Sequence, residues 1–236
     1  MPSKRHGLTM AVTPVSSLVL MRILESAPGR YDAGMELLTF GVAARSRRDA
    51  AGRAALVPGA RILEIGCGTG ALTSLLLRDG ASVLAIDEAP EMLDIAAERL
   101  GATKDQPRLV LQEKAAAEID GLEPASFDVV TAAFALSEMS ASERAYVLGQ
   151  AARLLVDGGR LVLVDETLPR TGLARCLFGL LRLPLSVLAW VLAGRTSSPL
   201  PRPEAELAAA GLSAVHERSY LFGTIGLFEA RKGAGA

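Results

Sequence analysis

Between Arg61 and Asp165, short runs rich in Val, Ile and Leu alternate with longer segments of helical period. That alternation is the mark of a parallel sheet covered by helices. The spacing predicts strands at Arg61 to Ile65, Ser82 to Asp87, Leu109 to Gln112, Phe127 to Ala132 and Arg160 to Asp165. Helices are predicted near Gly70 to Arg78, Pro90 to Leu100 and Ala141 to Leu155, the last stopped by Asp157-Gly158-Gly159. After Asp165 an apolar insertion runs to about Leu200, and Pro203 to Gly211 reads as a helix. Ser213 to Leu221 and Thr224 to Ala230 then read as strands, with Phe222-Gly223 short enough to close a hairpin. The expected fold class is α/β: a doubly wound sheet, mostly parallel, with a C-terminal antiparallel hairpin and a helical lid inserted after the fifth strand. Met35, Leu38 and Val42 fall at helical spacing and predict a helical cap over the strand ends. The chain then reads as one domain: cap 1–58, core 60–166, lid 167–201, and last helix with hairpin 202–232.

Composition removes several classes of function. The 236 residues, half of them apolar, bury a core without help from disulfides or metals. Cys67 and Cys176 show no metal-ligand spacing, no secretory signal is evident, and a reducing cytoplasm is the expected location. With 25 basic against 26 acidic side chains and 4% aromatics, the chain offers neither a basic field nor stacking platforms, so nucleic acid is not an expected partner. The mean hydropathy of +0.32 is high, and the excess lies between Gly172 and Gly194. Arg175, Arg182 and Pro184 interrupt that run, whereas a membrane span needs roughly 20 apolar residues. Burial or a peripheral membrane contact through residues 172–194 is expected instead.

The segment Arg61-Ile-Leu-Glu-Ile-Gly66-Cys-Gly68-Thr-Gly70 runs from a strand through three alternate glycines into a helix. Backbone amides at such a turn approach a ligand without obstruction, and the helix start favours an anionic or zwitterionic group. Asp87 ends the next strand, where an acid accepts both ribose hydroxyls of a nucleoside lying across the strand ends. The plain alternative is a tight turn with Asp87 capping the following helix. Gly66, Gly68 and Ala71 also satisfy the looser dinucleotide pattern, which keeps a nicotinamide enzyme in view. Glu64 favours another cofactor, because a carboxylate two residues before the first glycine meets a ligand ammonium directly or through water.

With these residues in view the chain resembles the class I S-adenosylmethionine-dependent methyltransferases, which have a Rossmann-like fold. The resemblance is carried by Leu63-Glu64-Ile65-Gly66-Cys67-Gly68-Thr69-Gly70, by Ala85-Ile86-Asp87 with Met92-Leu93, by Phe127-Asp128-Val129-Val130, and by Leu154 to Leu161. Within the class it is similar to the quinone-biosynthesis C-methyltransferases, through Tyr31-Asp32 followed by Leu38-Thr39-Phe40-Gly41. The late insertion resembles that of corrinoid-protein-associated methyltransferases. The resemblance implies that Tyr31 and the amides around Gly66, Cys67, Gly68 and Thr69 hold the methionine end of the cofactor and Asp87 the ribose. Glu88 and Met92 would hold the adenine edge and face, and Ala133 and Phe134 would face the sulfonium. Lys114 and Ala115 fall where the family has an acidic or amide side chain and a small residue. Lys114 cannot accept from the adenine amino group, so backbone atoms are expected to read adenine there. Where quinone enzymes carry a Leu-Arg-Asn run, this chain has Leu136-Ser137-Glu138, a departure on the acceptor side.

Methyl transfer from a sulfonium is an in-line displacement with a neutral leaving group, so positioning is the main task and a base is needed only where the acceptor must lose a proton. Glu138 is the candidate base, with helix capping beside Ser137 as the competing explanation. His6 and His216 lie away from the expected site. In the insertion Leu177, Leu181, Leu185, Leu188 and Leu192 recur at helical spacing opposite Arg175, Arg182 and Ser186. They predict a lid over an acceptor that is hydrophobic or presented by another protein. A nucleoside-binding module without turnover and a nicotinamide-dependent oxidoreductase are the alternatives.

Overall fold

A computed structural model describes residues 32, 35, 36, 39–101, 107–169 and 198–233. In chain order it contains α1 (Val42–Ala54), β1 (Arg61–Ile65), α2 (Ala71–Arg78), β2 (Ser82–Asp87), α3 (Pro90–Leu100), β3 (Leu109–Glu113), β4 (Phe127–Ala133), α4 (Ala141–Leu154), β5 (Leu155–Glu166), α5 (Pro203–Ala209), β6 (Leu212–Tyr220) and β7 (Ile225–Lys232). Short 3-10 turns cover Ala116–Gly121, Leu136–Glu138 and Leu221–Gly223. The strands form one sheet in the order β3-β2-β1-β4-β5-β7-β6. Among the described strands only β7 runs against the others, so the edge strand β6 again follows the direction of the first five.

Both faces of the sheet are covered, which is why its strands are nearly continuous apolar runs. Ile62, Val129 and Val162 meet α1, α2 and α3 through Ala43, Ala50, Leu72, Leu76 and Leu93. Leu63, Val130 and Leu161 face the opposite way, toward Ile119, Val147, Leu148 and Leu207. Helix α1 is thus a layer on one sheet face, its Ala43, Ala50, Ala51 and Ala54 stripe letting it lie flat on the strands, with Arg47 reaching the cavity at the strand ends. Most of the cap expected over 1–58 lies outside the described residues.

One correction concerns Asp157-Gly158-Gly159, expected to separate helix from strand. They lie inside β5, whose pairing steps from Phe127↔Leu155 directly to Val129↔Arg160. Residues 156–159 bulge out against Asp128, closed by Gly158 at φ 74°. The predicted lid lies almost wholly outside the described residues, with Leu177, Leu181, Leu185, Leu188 and Leu192 among those not described. The described residues on either side of it meet: Thr167 bridges Leu200, the Leu200 amide donates to the Glu166 carbonyl, and the Ser198 amide donates to that of Ser137.

Candidate active site

The strand order reverses between β1 and β4, and a doubly wound sheet binds ligands in the crevice at such a switch point. A cavity of about 770 Å³ opens there, at the C-terminal ends of β1, β2 and β4. Its wall contains Glu64, Gly66, Cys67, Gly68 and Thr69 from β1 and the following loop, and Asp87, Glu88 and Met92 from β2 and α3. Lys114 and Ala115 after β3, and Ala133, Phe134 and Glu138 around the end of β4, complete the set expected from the sequence. Tyr31 lies outside the described residues. Asp32, the next residue, accepts from the Thr69 hydroxyl at 3.0 Å and from Arg99.

The loop after β1 is shaped by two different demands on glycine. A Cβ at Gly66 would stand 2.6 Å from that of Ala135, so this glycine lets β1 and the segment after β4 approach each other. At Gly68, with φ 52°, a Cβ would meet no atom within 4 Å, because the space beside it is the cavity. The Gly66 and Cys67 amides donate to the Ile86 carbonyl, which ties the loop to β2. Burial pushes the Cys67 thiol above its ordinary range, so it contributes no nucleophile. The Thr69 hydroxyl is taken up by Asp32 and Arg99.

Asp87 is held from both sides. Its Oδ2 accepts the Gly68 amide at 2.7 Å and its Oδ1 the Ala89 amide at 3.0 Å. No side chain caps α3, so the capping explanation does not account for this acid. Its carboxylate instead joins the two loops of the switch point, leaving acceptor capacity toward the cavity. Glu64 is 1% exposed, and among the described residues its Oε2 has no hydrogen-bond partner. Burial pushes its carboxyl up to about 8, against the opposing influence of Thr73 and the Arg47 guanidinium. Among the described residues six carboxylates (Glu64, Asp87, Glu88, Glu91, Glu138 and Glu143) and two cations (Arg47 and Lys114) line the cavity. A buried acid with one oxygen unsatisfied in an acidic cavity fits a ligand that brings an ammonium and a sulfonium, and it opposes a dinucleotide pyrophosphate.

After β4 the chain turns sharply. Phe134 adopts φ 61°, a strained value for a residue with a Cβ, and donates its amide to the Val164 carbonyl at 2.7 Å. The Leu136–Glu138 turn rests on Asp165, a fully buried acid that accepts the Leu136, Ser137 and Glu166 amides at 2.8, 3.1 and 2.7 Å. Burial raises the Asp165 carboxyl to about 7, its hydrogen bonds acting in the opposite sense. The helix cap expected near Ser137 lies elsewhere. Ser140 caps α4, its Oγ accepting the Glu143 amide while its own amide donates to Glu143 Oε2. Glu138 therefore lines the cavity without opening that helix. Asp165, Ser198 and Arg47 escaped the sequence reading, although the Ser140-x-x-Glu143 box was readable. His216 pairs with Glu229 in the sheet, outside the cavity wall.

Residues 63–161 match the family described as a methyltransferase domain. A demethylmenaquinone methyltransferase from Thermus thermophilus is 38% identical over 152 residues, covering 63% of this chain and 66% of that one. A ubiquinone biosynthesis O-methyltransferase from Xanthomonas campestris is 37% identical over 121 residues, covering 51% and 48%. The matched segments thus span about half to two thirds of these relatives' own length. Among solved structures, a Burkholderia thailandensis 1,6-didemethyltoxoflavin-N1-methyltransferase superposes with a TM-score of 0.62 at 19% identity, covering 99% of this chain and 93% of that one. The 4+2 cyclase SpnF superposes at 0.65 and 19% identity, covering 81% and 82%. Residues 63–161 thus carry a methyltransferase domain on the fold of the solved methyltransferases. Over the matched stretch the chain is similar to methyltransferases of quinone biosynthesis.

Proposed function

We propose that this protein transfers a methyl group from S-adenosylmethionine to a small hydrophobic acceptor or to one presented by a partner protein. The observation that carries the reading is the union, in one acidic cavity, of the Gly66–Thr69 loop, the doubly anchored Asp87 and Glu64 with its unsatisfied Oε2. Asp87 would accept from the ribose hydroxyls, Glu64 from the ammonium, and Glu88 and Met92 would bound the adenine. Bound S-adenosylmethionine supplies an electrophilic methyl whose displacement leaves a neutral thioether. The chain's own contribution is to hold the acceptor in line with that methyl and to exclude water. Phe134 would shape the wall near the methyl, its backbone fixed by Val164. Glu138, on a turn anchored by Asp165, is the proton acceptor for acceptors that must lose a proton.

A hydrophobic acceptor accords with the names of the quinone-pathway relatives and with the apolar run at 172–194, which would form the acceptor wall and touch a membrane or a presenting protein. Among the described residues no helix is long and apolar enough to cross a membrane, and a cytoplasmic location is part of the proposal. The acidic cavity speaks against a nicotinamide cofactor. Similarity to a cyclase gives one reason to test turnover as well as binding, because a fold does not dictate its chemistry. Calorimetry should show binding of S-adenosylhomocysteine and none of NAD, and S-adenosylmethionine with reduced quinones or phenols should yield S-adenosylhomocysteine catalytically. Binding without turnover on any such acceptor would leave a binding module. Binding of NAD in place of S-adenosylhomocysteine would overturn the reading.

A further inference from the structure

Two loop tips hold a phenylalanine in the open on left-handed backbone. Phe40 has φ 51° and is 85% exposed, and Phe222 has φ 58° and is 90% exposed. A residue with a Cβ is strained at such angles, and a ring left in water forgoes the gain of burial, so each tip is disfavoured twice. Neither tip is loosely held. Beside Phe40, the Thr39 hydroxyl donates to the Met35 carbonyl and accepts the Ala43 amide, while the Gly41 amide donates to the Glu36 carbonyl. Beside Phe222, Leu221 is left-handed as well, at φ 46°, and Thr167 fastens the turn: its hydroxyl donates to the Gly223 carbonyl and its amide to that of Thr224.

Both tips lie at one end of the sheet. Asp49 of α1 accepts from Arg218 and from the Tyr220 hydroxyl at the end of β6, and Arg53, one turn on, meets Glu229 lower in the sheet. Helix α1 therefore runs against the parallel strands, and Phe40, ahead of it, lies toward their C-terminal ends. Strand β6 follows the direction of the first five, so Phe222 lies at that end too. The cavity opens there, and Thr167 and Ser198, the described residues nearest the apolar run at 172–194, stand there as well. Around the contact of α1 with β6, Arg45, Arg48 and Arg218 are exposed, with Glu36 the exposed acid beside Arg48. Two separate aromatic knobs with arginines between them do not form the contiguous apolar patch that a protein partner buries. They suit a headgroup layer, where a ring enters the acyl boundary and a guanidinium meets phosphate. Resting on the reading of the acceptor as hydrophobic, we propose that Phe40 and Phe222 seat this end of the sheet on a bilayer surface that contains anionic lipid. The cavity mouth then faces the lipid from which the acceptor enters.

The experiment sediments the full chain with vesicles of phosphatidylcholine and with vesicles to which phosphatidylglycerol is added. Wild type is compared with Phe40→Asn, Phe222→Asn, the two combined, and Arg45→Gln with Arg48→Gln, each with a melting curve and a titration with S-adenosylhomocysteine. Asparagine tolerates left-handed backbone, so the phenylalanine variants should melt no lower than wild type. Each should bind the anionic vesicles about tenfold more weakly and the double variant about 100-fold, the value of one and of two buried rings, with the nucleoside affinity unchanged. The arginine variant should narrow the difference between the two kinds of vesicle. Wild type that sediments with neither vesicle overturns the proposal and turns the tips toward a protein partner. A double variant that binds as tightly as wild type overturns it as well, and so does wild type that binds both vesicles equally. Wild type that binds vesicles but no S-adenosylhomocysteine removes the parent reading, a result distinct from these.

Discussion

Two glutamates lie in one transverse row of the sheet, and both are buried beneath the face that α1 covers. The row runs Glu64, Thr131, Val162, Glu229 across β1, β4, β5 and β7. Glu229 is 0% exposed and closed off by two cations, Arg53 of α1 and Arg160 of β5, the latter at 2.7 Å. Glu64, three strands away, has an oxygen with no partner and a cavity beside it. Burial alone therefore says little about the role of an acid. Where the protein supplies the counter-charge the group is a strut, and where it withholds the counter-charge the missing partner is the ligand's to bring. The same helix serves both, Arg53 closing one site and Arg47 standing near the other without touching its acid.

The largest effect expected from that contrast is on stability. Glu229→Ala strands two guanidiniums in a partly buried setting and should lower the unfolding free energy by about 3 to 5 kcal/mol in urea, with little change in nucleoside affinity. A variant as stable as wild type would erase the distinction between the two acids. Next comes Asp87→Ala on the open side, which should cost about 2 to 3 kcal/mol of S-adenosylhomocysteine affinity by calorimetry. Retained affinity would show that the nucleoside lies elsewhere.

The smallest effect separates the two glutamates by pH. The Glu64 carboxyl moves from 4.5 to about 8 on folding, so between those values the folded chain keeps a proton that the unfolded chain has released. Unfolding free energy contributed by this group is present in full at low pH and is lost as pH rises toward 8. Glu64→Gln cannot ionise. It should match wild type near pH 4.5 and exceed it by a growing margin as pH rises to 8, leaving the shallower slope that Asp165 gives up to about pH 7. Parallel stability curves for the two proteins would mean that Glu64 is ionised in the fold and has found a partner.

Much of this architecture was readable before any coordinates. The bounds of β1, β2 and α3 agree with the sequence reading residue for residue, because each is a short apolar or amphipathic window between strong stops such as Pro90 and Gly101. The start of β5 was misread for a local reason: Asp-Gly-Gly is a good helix stop, and only the pairing of Leu155 with Phe127 makes the residues before it part of a strand. Arg47 left a trace, a charged residue within an alanine stripe of helical period. Asp165 left almost none, since an acid at a strand end looks the same whether it faces water or three backbone amides.

The glycine loop, the acid at the end of β2 and the order of strands and helices are properties of the sequence itself, because backbone freedom and hydrophobic period are decided within windows of a few residues. Which buried acid is compensated was decided by the tertiary structure alone. Arg53 and Arg160 lie 176 and 69 residues from Glu229 along the chain, and only the closure of α1 and β5 onto β7 brings their charges together. Glu64 was left open by the same closure, since packing placed Arg47 over Phe134 instead of against the acid.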